Sequence, residues 1–352
     1  MIFKKTLSFA ASTIKFIIII ILISKSHAVE NTNKFYSKDE GIVSIMYHRF
    51  NENKYPSTNI QMEVFKKHIE IIENNNLDYI TPSNFLDNFN QPKSKKKVLI
   101  TIDDGFSSFY KNAWPYLKKN EIPFILFVST EPVGKNGYMT WEQIYEVEKE
   151  PYAFIGNHSH SHEYLVEESF NIFKEDIDRS ISIFEEKLGY NPEFFSYPFG
   201  EYSLKQKKYI MSKFKSAFGQ HSGVIDLNKD KFELPRFPIN EKYGDLDRFK
   251  FLIKLKPLEY KSISLKDMLV LQKNNPPEVY VEFFDGQKNI NNINCYSNEG
   301  DGWQNSNTTL HENKLFFKFR DKFNFRRGRV NCSLNDVGNW RWFGLQFSIK
   351  SN

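Results

Sequence analysis

The chain has 352 residues, of which 40% are hydrophobic and 16% aromatic, enough for one large cored domain with a smaller one beside it. A net charge of +5 is spread along the chain. The one dense basic cluster, 93–97, stands just ahead of an apolar run and has no interleaved aromatic residues, so a nucleic-acid partner is not expected.

The first segment reads as a targeting signal. Lys4 and Lys5 precede the apolar stretch 16–23, and Ser26-His27-Ala28 places small residues around a cleavage point after Ala28. Residues 1–28 are therefore expected to be a signal peptide and 29–40 a polar linker. The alternative is an uncleaved membrane anchor, because 6–24 approaches bilayer-spanning length, although Lys15 interrupts it. Either way the folded part is expected to be exported: periplasmic, cell-envelope or secreted.

Strands and helices then alternate. Residues 42–48 read as a buried strand, and Met62, Phe65, Ile69 and Ile72 fall at helical spacing. The run 98–102 is continuously apolar, as in a parallel sheet covered on both faces. A helix carrying Phe109, Ala113 and Leu117 follows, then a strand at 123–128, a helix at 141–148 and an apolar run at 154–156. The span 165–188 has helical periodicity and is closed by Gly189. A strand and turn at 194–200, a helix over 203–213 and a short apolar segment at 216–218 complete the pattern. It predicts an α/β barrel or a related parallel sheet over 41–258. After 258 the period changes to two, at 279–284, 315–319 and 340–347, and 270–352 reads as a small all-β, sandwich-like domain. Within it Trp340 and Trp342 share a strand face and, with Trp303, are expected to fill a small β-core; stacking on sugars is the alternative. In an exported protein Cys295 and Cys332, the only cysteines, are expected to form one disulfide, against two reduced buried thiols.

The chemistry-bearing residues follow strands. Asp103 and Asp104 end the run 98–102; in isolation Asp-Asp-Gly is more simply a turn, but on a continuing strand the two carboxylates face opposite sides and can take different roles. His158 and His162 are four apart, which on a helical turn puts both rings on one face, with His160 pointing elsewhere. Two imidazoles and a carboxylate are a donor set for a catalytic divalent ion, zinc first among those it suits.

Thr101-Ile102-Asp103-Asp104-Gly105, His158-Ser159-His160-Ser161-His162 and Tyr197-Pro198-Phe199-Gly200 together resemble three motifs of the polysaccharide deacetylase family, the NodB homology domain of carbohydrate esterase family four, over about 42–240. The resemblance implies a distorted (β/α) barrel and removal of acetyl groups from an acetylated polysaccharide. It implies Asp103 as catalytic base, Asp104, His158 and His162 as metal ligands, and the backbone N–H of Tyr197 as oxyanion donor. The expected function is N-deacetylation of an N-acetylglucosamine-containing polymer. O-deacetylation of an acetylated polysaccharide, or sugar binding on a decayed barrel, are the alternatives.

Two departures bear on that expectation. The third motif should open with an arginine that orients the base, yet position 196 is Ser. Arg236 is the candidate replacement, against a plain barrel-rim arginine. The family's Leu-x-His acid is not evident; His221 is the candidate, with His48 as its rival.

Overall fold

The computed structural model describes residues 41–88 and 97–350. The signal-peptide and linker readings, and most of the basic cluster, lie outside the described residues. Among the described residues no helix is long and apolar enough to cross a membrane.

Seven parallel strands build the barrel: β1 Ile42–Tyr47, β2 Lys97–Ile102, β3 Phe124–Val128, β4 Ala153–Asn157, β5 Phe194–Ser196, β6 Ser216–Phe218 and β7 Phe237–Pro238. Their order is β7-β1-β2-β3-β4-β5-β6, and the short strand Asp78–Tyr79 also pairs with β2. Every residue of β1 and β3 is buried, which explains their unbroken apolar runs. Side chains of Phe65, Ile69 and Ile72 from the helix Met62–Asn74 pack against the strands in the same core. The sheet curls into a half-barrel, and the segment between β6 and β7 spans its gap. Leu234 bridges to Phe218 of β6, and Phe237 and Pro238 pair with β1. Arg236, between these two contacts, is fully buried.

The long helix starts later than its periodicity predicts. It runs over Phe170–Leu188, because the Ser169 side chain accepts the N–H of Ile172 and caps it there; Gly189, at φ +83°, ends it. Leu165 reaches the core from the preceding turn.

Beyond the barrel lie a six-stranded and a four-stranded sheet. The strand Lys256–Pro257 already pairs with the last strand, Asn339–Ile349, so these sheets draw in chain that the sequence assigns to the end of the barrel. Cys295 and Cys332 face each other across an antiparallel pair and form the disulfide. The tryptophans do not fill the β-core. Phe343, Leu345, Phe347 and Ile349 do, from one face of the last strand. The opposite face meets the barrel: Trp342 packs 6.4 Å from Phe237 and Trp340 5.8 Å from Phe251, ring centre to ring centre. Gln346 on this face donates to the carbonyls of Phe199 and Gly200. Gly344 lies so close to the barrel that a Cβ there would sit 2.2 Å from the Ser222 carbonyl oxygen. Trp303 remains 38% exposed.

His68 is buried in the barrel core, bonded to the Tyr47 hydroxyl and the Gly244 carbonyl and stacked on Phe249. Burial lowers its pKa to about 4. Below about pH 6.5 the unfolded chain binds a proton that the folded chain refuses, so the neutral ring's stabilisation is complete above that value and falls away toward pH 4. The loss reaches roughly 3 kcal/mol. Denaturant titrations from pH 7 to 4 should show a shallower stability loss for His68→Phe than for the native chain; equal slopes would contradict this assignment.

Candidate active site

The predicted site residues gather at the C-terminal ends of the strands, where a parallel barrel presents its loops. His48 follows β1, Asp103 and Asp104 follow β2, His158 follows β4, and the Tyr197–Gly200 turn follows β5.

Asp103 continues its strand by donating its N–H to the Tyr47 carbonyl, and Asp104 then adopts φ +76°. The two carboxylates are therefore separated by a left-handed turn rather than by strand alternation. The histidines are also arranged differently from a helical turn. Ser159 and His162 both have positive φ, at +70° and +55°. The loop is held by the Asp176 carboxylate, which accepts the N–H groups of His160 and Ser161, and by Ser159 Oγ, which accepts the N–H of His162. Such strained conformations persist only where surrounding bonds over-determine them. The His160 ring bonds Thr130 Oγ1 at 2.8 Å and stays out of the cluster.

Asp104 Oδ1 lies 3.4 Å from His158 Nε2 and 3.2 Å from His162 Nε2. His158 Nδ1 is 2.7 Å from the Ser196 carbonyl, which can only accept, so Nδ1 carries the proton and the Nε2 lone pair faces Asp104. Asp104 Oδ1 and His158 Nε2 are both buried without a hydrogen-bond partner among the described residues. Acceptor atoms converging in a buried place are what a divalent cation requires, so the donor set fits one. Burial raises the Asp104 pKa, but His162 and His158 outweigh it and hold the carboxyl well below the ordinary range.

Arg236 is brought onto Asp103. Its Nη1 and Nη2 donate to Oδ1 and Oδ2 at 2.7 and 2.8 Å, with both side chains fully buried. Its Nε donates to the Gly219 carbonyl, and its remaining donors reach Thr101 Oγ1 and Ser196 Oγ. The serine at the motif's arginine position thus leaves room for a guanidinium arriving from another part of the barrel. Burial raises the Asp103 pKa; Arg236, followed by His158, overcomes this and keeps it below the ordinary value.

Two placements differ from the sequence expectation. The Tyr197 N–H is not free for an oxyanion, because it donates to the Phe218 carbonyl at 3.0 Å in the β5–β6 pairing. The next main-chain N–H is that of Phe199, since Pro198 has none. Phe199 stands at φ +58° with its ring 4.8 Å from that of His162. His221 turns toward the C-terminal sheets, and the charged groups acting on it are Arg236 and Lys207. Those acting on His48 include Asp104, Asp103 and His158, and its Nδ1 is buried without a partner among the described residues. Burial lowers the His48 pKa against the pull of the two carboxylates. The position of His48 at the end of an apolar strand was the available signal; Thr101, Asp176 and Phe199 gave none outside the motifs.

Residues 90–214 match the polysaccharide deacetylase family model. The chain carries a polysaccharide deacetylase domain. YxkH of Bacillus subtilis, which bears the family's name, is 27% identical over 166 residues, covering 47% of this chain; the chain spans only 58% of that relative's length. The poly-beta-1,6-N-acetyl-D-glucosamine N-deacetylase of Staphylococcus aureus is 22% identical over 254 residues, covering 64% of this chain and 86% of its own. The deacetylase PplD of Streptococcus pyogenes, solved with acetate, superposes with a TM-score of 0.56 at 19% identity, over 61% of this chain and 99% of its own, and shares the fold. The family match to the deacetylase domain covers Asp103, Asp104, His158 and His162, but neither His48 nor Arg236.

The Arg236–Asp103 pair makes a direct prediction. Arg236→Met strands a buried carboxylate and should cost about 3–5 kcal/mol in chemical denaturation. Adding Asp103→Asn should recover most of that loss, and strictly additive effects would show that the two side chains are not coupled.

Proposed function

We propose that this chain is a metal-dependent N-deacetylase of an N-acetylglucosamine-containing polysaccharide, exported to act on it. The observation that carries the reading is the pairing of a buried carboxylate clamped by Arg236 with an adjacent Asp-His-His cluster of unsatisfied acceptors. The S. aureus relative's name supports the N-acetylated substrate.

Asp104, His158 and His162 would hold a divalent ion, with zinc the best match to nitrogen and oxygen donors. When bound, the ion supplies Lewis acidity for the acetyl carbonyl and for water. Asp103 takes the proton of the attacking water, since Arg236 keeps its carboxylate ionised and fixed in direction. The Phe199 N–H, preorganised in the turn after Pro198, donates to the oxyanion. The leaving amine needs a proton, and His48, on which both carboxylates act, hands it the one that Asp103 takes from the water. Arg236 orients the base and does not touch substrate.

Acetate release from N-acetylglucosamine oligomers and from acetylxylan tests the reading. The N-acetylated oligomers should turn over, a chelator should stop the reaction and zinc should restore it. Acetate from acetylxylan alone would favour an O-deacetylase, and none from any glycan would leave a binding protein. Asp103→Asn should lower turnover by about a hundred- to ten-thousand-fold. His48→Ala should fall by a comparable factor while His221→Ala stays near the native rate; the reverse ranking would return the acid role to His221. Metal analysis of the zinc-loaded chain should find an ion that Asp104→Asn combined with His158→Gln loses.

A further inference from the structure

A cavity of about 330 Å³ lies between the deacetylase barrel and the C-terminal sheets. That volume falls in the usual range of about 300–1,000 Å³ for small-molecule sites. Its barrel wall follows β6 and β7 and includes Gln220, His221 and Tyr243; its other wall includes Trp303, Arg329 and Asn331. Three kinds of group converge there. Trp303 and Tyr296 line it yet remain partly exposed, offering flat apolar faces. Asn331, Gln220 and Ser222 offer neutral hydrogen-bonding groups. Arg248 and Arg329 bring two guanidinium groups.

The arginines decide the ligand's charge. Arg248 donates to the Tyr243 carbonyl and Arg329 donates through Nε to Gln346 Oε1, both neutral acceptors. Among the described residues, neither forms an ion pair with a carboxylate. The acidic groups acting on them are engaged elsewhere: Asp245 caps the helix Leu246–Leu252, and Glu201 pairs with Arg326 and Arg327. Both side chains are half-buried, and burial lowers both guanidinium pKa values to about 10. A planar guanidinium binds a carboxylate through two parallel bonds. Aromatic faces suit the C–H face of a pyranose, and the amide and hydroxyl groups suit its hydroxyls.

We propose that this cavity binds a hexuronate residue of an acidic polysaccharide, with its carboxylate on Arg248 and Arg329 and its ring against Trp303. The site is distinct from the metal cluster and does not depend on the deacetylase reading. The barrel wall is nonetheless tied to the base, because the His221 carbonyl accepts the Arg236 N–H and the Gly219 carbonyl accepts Arg236 Nε.

Calorimetric titration of the full chain with a galacturonate trisaccharide, which carries no acetyl group, tests the proposal. Binding should weaken about tenfold or more for the methyl-esterified trisaccharide, and similarly for Arg329→Met and Arg248→Met. Trp303→Ala, at a partly exposed side chain outside the hydrophobic cores, should also weaken binding several-fold and keeps the test decisive if an arginine variant misfolds. Asp104→Asn should leave affinity unchanged. Absent binding, equal affinity for acid and ester, full affinity in Trp303→Ala, or loss in Asp104→Asn would each overturn the assignment.

Discussion

The buried bidentate pair between Arg236 and Asp103 is the contact on which the rest of the site depends. A carboxylate taken wholly out of water is tolerated only with a matched charge and satisfied lone pairs; Arg236 and Ser196 donate to it, while Thr101 Oγ1 accepts from Arg236. The pair also explains the closure of the barrel. The segment carrying Arg236 pairs with β6 through Leu234 and with β1 through Phe237 and Pro238, so the strands that bracket the gap hold the guanidinium in the interior. The clamp on Asp103 and the closure of the barrel are thus one structural event.

The same closing segment supports the C-terminal sheets. Phe237, next to Arg236, meets Trp342, and the Gly219–Ser222 loop that accepts from Arg236 faces Gly344 and Gln346. From Phe343 onward the last strand is buried on both faces, one in its own sandwich and one on the barrel. The sheets are therefore docked by a packed, close-approach surface rather than by a linker. The cavity of about 330 Å³ is formed where that surface opens out.

Much of the candidate site was legible in the sequence because its residues are local. Asp103 and Asp104 are adjacent, and His158 and His162 lie within five residues, so motif spacing alone brought their chemistry into view. The local backbone differs from what that spacing suggests. Left-handed turns, not a helix or strand alternation, point the side chains, and φ is not readable from residue type where Asp, Ser and His occupy positive values. The tryptophans differ from expectation for a related cause: alternation identifies a shared face but not which neighbour that face meets.

The sequence by itself determined the alternating strand–helix order, the Asp104-His158-His162 grouping and the disulfide partners, because each rests on local periodicity or on residue types with few uses. Only the tertiary structure decided that Arg236 serves Asp103 from 133 positions away, that the Tyr197 N–H is engaged in a ladder, and that His48 rather than His221 stands beside the carboxylates. Those facts depend on which strand ends meet when the sheet curls, and curvature is a property of packing between distant segments, with no signature in the local pattern of either one.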